Sequence, residues 1–227
     1  MNEEQSRLLR EQGLSFFGTV TASLSHELNN VTAIIGELSG LLDDLLLGAK
    51  RGRPLDQEKL RNLSEKITGQ VNKGKGIIKR LNRFAHGIDE PDKAFDAREL
   101  LEEITDLAQR FAFLRGVHLE TASSGEPIAV RGNSFSLQQA IFICIELVLA
   151  GSEKGDVVTL TLNQEGAGAQ LCIPHVHLVR TEEVDSRLSL ISLLMEELGG
   201  TAEVLPSDDG RHALLLTIPG ATPARGR

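Results

Sequence analysis

The sequence predicts an α+β chain. A long helical hairpin pairs with a second copy into a four-helix bundle, and a small sandwich of helices on one face of a mixed sheet follows it. Residues 3–47 contain no Pro, and their apolar side chains recur at alternating spacings of three and four. A Gly- and Pro-containing break at residues 48–54 precedes a second run of the same kind. Beyond residue 88, short β-branched segments alternate with helical ones and are separated by Gly-containing turns.

In the first helix Phe17, Val20, Leu24, Val31, Ile34, Leu38, Leu41 and Leu45 form one stripe, broken only by Glu27. That near-heptad period predicts shallow-angle packing, with His26 just off the seam and exposed at its edge. The second helix spans residues 56–86, with Leu60, Leu63, Ile67, Val71, Ile78, Leu81 and Ala85 as its stripe. Gly69, Gly74 and Gly76 each weaken it by about 1 kcal/mol relative to Ala, and mark either close helix approach or bending. The short connection makes the two helices antiparallel. Two helices cannot cover both sides of their own stripes, so a homodimer is expected.

A polar connection at residues 86–93 ends the hairpin. Residues 96–114 then read as a helix, with Asp96 as N-cap and Leu100, Leu101, Ile104, Leu107, Ala108 and Phe111 on one face. Residues 117–120 and 128–130 are short strands, and residues 134–150 form a strongly apolar helix. Strands 157–162 and 169–173 flank a turn at 164–168, a helix spans 186–198 and ends on Gly199-Gly200, and a hairpin closes around residues 207–210. The expected division is a helical hairpin at 1–88, an α/β domain at 89–220 and a tail at 221–227.

Composition narrows the function classes. The 227 residues carry 24 Lys+Arg against 32 Asp+Glu, a net charge of −8, and neither Trp nor Tyr. Both facts argue against nucleic acid as a partner. The acidic opening lacks the apolar run of a leader, and the apolar stretch 140–150 is interrupted by Glu146 and too short for a bilayer. No membrane association and a cytoplasmic location are expected. Cys144 and Cys172 stand apart in apolar runs, as buried reduced thiols do. His175 and His177 have no Asp, Glu or Cys at ligand spacing, so no metal site is expected.

The segment that carries chemistry is Ser25-His26-Glu27-Leu28-Asn29-Asn30. It sets a nucleophilic imidazole beside a carboxylate, with the Asn30 amide one helical turn further on the same face. An exposed His with an acid and an amide around it suits carrying or removing a phosphoryl group. The small residues Asn29, Thr32, Ala33 and Gly36 leave room there for a docking domain.

This segment resembles the H-box of two-component sensor histidine kinases, in their dimerisation and histidine-phosphotransfer domain. Residues 95–101 resemble the entry to the ATP-binding domain of that family, and 130–133 with 137–141 the approach to its N-box. Residues 198–204, with a terminal strand ending at Pro219, are similar to its close. The resemblance implies a histidine kinase-like ATPase sandwich after the hairpin. It also implies catalytic roles for His26, for Glu27 as hydrogen-bond acceptor for the other ring nitrogen, which fixes the tautomer and stabilises the cation formed, and for Asn30, which steers the incoming phosphoryl group or orients water for its hydrolysis.

The departures are specific. Aligned on Leu137-Gln138-Gln139, the N-box positions that hold Asn in the family, including its Mg²⁺ ligand, carry Ile143 and Leu147, which offer no oxygen to a hard cation. Where the family has an Asp-x-Gly-x-Gly loop, this chain reads Pro174-His175-Val176-His177-Leu178. The Gly-rich phosphate loop is missing, and about a dozen residues separate Ile173 from the next helix, too few for an ATP lid. The pattern resembles the dimeric, ChpT-like histidine phosphotransferases of phosphorelays. It implies that His26 carries a phosphoryl group between receiver-domain aspartates of response regulators, without autophosphorylation from ATP. This chain then needs no cofactor of its own, and Mg²⁺ comes with the receiver domain. The alternatives are a phosphatase or docking scaffold for a response regulator, in which Asn30 outweighs His26, and a divergent kinase.

Overall fold

A computed structural model describes residues 2–87, 92–123, 125–176, 181–206 and 212–220. All or part of four expectations lies outside the described residues: the connection at 88–91, His177-Leu178, the turn at 207–210 and the tail at 221–227. The chain divides into two compact units: Gly18–Arg83, and Met1–Phe17 together with Phe84–Arg227.

The first unit is a helical hairpin built from α1 (Glu3–Lys50) and α2 (Gln57–His86). Asp56 opens α2 by accepting hydrogen bonds from the Glu58 and Lys59 amides, both at 3.1 Å. The buried face of α1 is rotated from the expected stripe. Val20, Leu24 and Val31 are buried and Leu28, Ile35, Leu38, Leu42 and Leu45 half-buried, while Ile34 and Leu41 are 38% and 53% exposed. This seam keeps an unbroken three-four spacing with Glu27 on its flank.

On α2 the seam runs through Leu60, Leu63, Ile67, Gln70, Gly74, Ile77 and Leu81, whereas Val71 and Ile78 are 39% and 46% exposed. Counting apolar residues alone misplaces this face, because Gln70 and Gly74 occupy two of its positions. A Cβ on Gly74 would lie 3.4 Å from Val31 Cγ1 and 3.8 Å from Leu28 Cδ1, whereas at Gly69 and Gly76 it would meet nothing. Gly74 therefore lies in the contact between the two helices, where a Cβ would just touch its neighbours, and Gly69 and Gly76 lie outside it.

The second unit is an α/β sandwich. Its main sheet has the order β2-β4-β5-β7-β6, from β2 (His118–Ser123), β4 (Val157–Glu165), β5 (Gly168–Val176), β6 (Thr201–Pro206) and β7 (His212–Ile218). Only β2 and β4 pair in parallel, and the other pairs are antiparallel. Leu160, Leu162, Leu171, Ile173, Leu214 and Leu216 line one face and are buried, as the period of two demands. The β4–β5 turn narrows to Gly166-Ala167, where Gly166 adopts a φ of 57°. A two-stranded sheet pairs β1 (Lys93–Asp96) with β3 (Ala129–Gly132). β1 is absent from the sequence expectation, since four residues with one aromatic show no alternation.

The helical layer holds α3 (Ala97–Arg115), α4 (Ser134–Gly151) and α5 (Glu182–Glu197), with α4 packed against both others. Asp96 caps α3 as expected: its Oδ1 accepts from the Arg98 amide and also from the Ile128 amide, both at 3.0 Å. The Asn133 side chain caps α4 by accepting from the Phe135 and Ser136 amides. By length and composition α4 would suffice to cross a membrane, yet 78% of it is buried inside the structure. Phe16 on α1 and Phe84 on α2 pack edge-to-face at 5.4 Å, and Phe16 also meets Phe135 and Phe142 at 5.3 and 5.2 Å. The first turns of α1 and the end of α2 are thereby part of the α/β unit's core.

Candidate functional site

The continuous helix α1 presents His26 and Asn30 one turn apart, and both are exposed. Pointing away from the seam, the imidazole is open to an incoming group. C-terminal to it on α1, Asn29, Thr32, Ala33 and Gly36 are exposed, and a Cβ on Gly36 would meet nothing within 4 Å.

Glu27 is half-buried, and its Oε2 accepts from Arg80 Nη2 of α2 at 3.5 Å. Adjacent helical residues do not face each other, and the carboxylate turns across the hairpin instead of toward the His26 ring. The side chains of Arg80 and Glu27 are only 31% and 24% exposed, so solvent screens the pair partially. The Arg80 Nε is buried and has no partner among the described residues. No local pattern marks Arg80 itself, but the segment around it carries a broader charge signal. Residues 66–86 hold Lys66, Lys73, Lys75, Lys79, Arg80 and Arg83 and not one Asp or Glu, in a chain of net charge −8.

The α/β unit has its own distinctive surface on α4. Ile143 and Leu147 are 7% and 4% exposed, wedged into the helical layer. Glu146, on the same stretch, pairs through Oε2 with Arg187 Nη1 at 3.2 Å, and Arg187 Nη2 reaches Glu183 Oε1 at 3.1 Å. Burial pushes the Glu146 carboxyl above its usual range, partly offset by the Arg187 and Arg115 guanidinium groups. Arg115 Nη1 also donates to the Leu149 carbonyl at 3.0 Å.

Two differences from the sequence expectation shorten the segment after β5. β5 runs on to Val176, and α5 begins at Glu182, capped by Thr181 Oγ1 accepting from the Val184 amide at 3.2 Å. Only residues 174–181 therefore separate Ile173 from α5, fewer than the dozen expected. Thr181 followed by Glu182-Glu183 was the overlooked capping signal.

A cavity of about 640 Å³ opens between the first turns of α1 and the ends of α4 and α5. Leu14, Phe17, Phe135, Gln139 and Glu197 line it, and its lining includes none of His26, Glu27 and Asn30. Cys144 is buried as expected, whereas Cys172 is only half-buried, and desolvation raises both thiols above their usual value.

No protein-family model matches the sequence. Among solved structures, a histidine kinase from Burkholderia phymatum STM815 superposes with a TM-score of 0.51 over 88% of this chain and 98% of that one, at 16% identity. The fold is histidine kinase-like. The histidine kinase AdeS of Acinetobacter baumannii is matched over 82% of this chain and 96% of that one, at 16% identity and a TM-score of 0.48. Similarity at this level of identity identifies the architecture, and the chemistry has to be argued from the chain's own residues.

Proposed function

We propose that this chain is a histidine phosphotransferase of a two-component phosphorelay, of the ChpT-like class. As a homodimer it accepts a phosphoryl group on His26 from one receiver-domain aspartate and passes it to another, without drawing on ATP. The observation that carries the reading is the exposed His26–Asn30 face on the helical hairpin of a histidine kinase-like fold.

In the transfer step a neutral imidazole nitrogen of His26 attacks phosphorus. An N–P bond forms as the P–O bond to the aspartyl carboxylate breaks, and the remaining ring proton passes to water. Asn30, facing the same way, orients the incoming group. Mg²⁺ held by the receiver domain neutralises the phosphoryl oxygens. The acid-free basic run at residues 66–86 favours a partner whose reactive site is built from aspartates.

Loss of ATP chemistry is supported by the α4 surface. Ile143 and Leu147 stand where the family resemblance implies Asn, both are buried, and neither carries an oxygen for a cation. Dimerisation is supported by the hairpin's seam, where Leu28, Ile35, Leu38, Leu42 and Leu45 stay half-exposed in the single chain.

The test uses receiver domains carrying labelled aspartyl phosphate. Acid-labile, base-stable label on this chain, absent in His26→Gln, is the expected result. Release of inorganic phosphate that survives His26→Gln but not Asn30→Ala would replace transfer with a phosphatase role.

A further inference from the structure

We infer that Arg80 is a positioning residue for phosphoryl transfer at His26. Its guanidinium holds and neutralises the Glu27 carboxylate, so the incoming phosphoryl group meets no uncompensated negative charge beside the imidazole. The inference rests on the reading of His26 as the phosphoryl carrier.

Three observations carry it. Glu27 is covalently next to His26, which puts its carboxylate on the same turn of α1 as the imidazole. The carboxylate is half-buried, so water and salt screen it less than a surface charge, and its repulsion of a dianion is correspondingly large. Its ion-pair partner is Arg80 of α2, at 3.5 Å from Nη2 to Oε2. The guanidinium is also under-used as an anchor, since Nε is buried and finds no partner among the described residues. A purely structural Arg in that position would be expected to satisfy its donors.

The reaction itself is unchanged by this role. The His26 nitrogen forms the bond to phosphorus, the donor's bond to phosphorus breaks, and the ring proton leaves to water. Arg80 neither gains nor loses a proton. It acts through Glu27 on the electrostatic cost of bringing two or more phosphoryl charges to the ring.

Phosphoramidate tests this without a protein partner, because its P–N bond breaks with release of ammonia as the N–P bond to His26 forms. The initial rate of phosphohistidine formation is measured for the full chain, Arg80→Met, Arg80→Lys, Glu27→Gln and the Glu27→Gln/Arg80→Met pair. Arg80→Met is expected to react roughly tenfold more slowly at low salt, with the deficit shrinking as ionic strength rises. Arg80→Lys keeps the charge and most of the rate, and the double variant, which lacks both charges, reacts faster than Arg80→Met and about as fast as Glu27→Gln alone. A merely structural role would leave the double variant as slow as Arg80→Met and its deficit indifferent to salt. Either of those results, or an Arg80→Met rate equal to wild type, overturns the inference. Failure of the wild-type chain to label on His26 with both phosphoramidate and a phosphorylated receiver overturns the underlying reading instead.

Discussion

Arg187 on α5 reaches Glu146 on α4 across 3.2 Å, closing a salt bridge on the stretch of α4 that also carries Ile143 and Leu147. Glu146 lies on α4 between Ile143 and Leu147, both buried in the helical layer. Two apolar residues buried into the layer and an acid tied to a neighbouring helix leave that stretch a packed joint between α4 and α5.

The pH dependence of this joint follows from burial. Desolvation raises the Glu146 carboxyl above its usual value, and Arg187 offsets that only in part. A carboxyl with a raised folded-state pKa favours folding most at low pH, and that contribution is lost as pH climbs through the folded value. Thermal melts of wild type and Glu146→Gln across pH 4 to 8 are therefore expected to diverge in favour of the Gln variant as pH rises. A wild-type advantage growing with pH would contradict the burial argument.

Phe84 is 1% exposed and contacts Phe16, Phe17 and Phe135 at ring distances of 5.4, 5.5 and 5.8 Å. Phe84→Ala removes the hub of that cluster and is expected to cost about 3–5 kcal/mol in urea unfolding. A loss under 1 kcal/mol would mean that the cluster is not packed in solution.

The glycines of α2 should separate by environment. Gly76→Ala meets open space and should stabilise the hairpin by roughly 0.5–1 kcal/mol through helix propensity alone. Gly74→Leu would drive its side chain into Val31 and Leu28 and should lower the melting temperature. Equal effects at the two positions would deny the helix contact at Gly74.

Light scattering at micromolar concentration should give the mass of a dimer. Leu38→Glu, which puts a charge into the half-buried seam, should shift the chain toward monomer while helix content by circular dichroism is largely kept. A monomeric wild type would remove the four-helix bundle from the account.

The sequence was most legible where backbone chemistry is local. Asp96 as the cap of α3, the break after α1, the apolar α4 and the β4–β5 hairpin all follow from residues near one another in the chain. The hairpin seam was less legible, because Gly74 and Gln70 occupy seam positions and the exposed Val71 and Ile78 imitate them. β1 and the early start of α5 escaped for a related reason. The first owes its existence to pairing with β3, and the second to a Thr181 cap set in a polar run with no apolar period. At the candidate site, the spacing places His26 and Asn30 on one exposed face of α1, as the structure has them, but the Glu27–Arg80 pair joins residues 53 positions apart and has no local signature.

The central claim is that His26 receives its phosphoryl group from a receiver domain and not from a nucleotide. Purified chain is incubated in parallel with γ-labelled ATP and Mg²⁺ and with a labelled phospho-receiver, and both are scored for acid-labile, base-stable label. The account predicts label from the receiver alone, lost in His26→Gln. Label from ATP that also vanishes in His26→Gln would contradict it and make the chain a kinase.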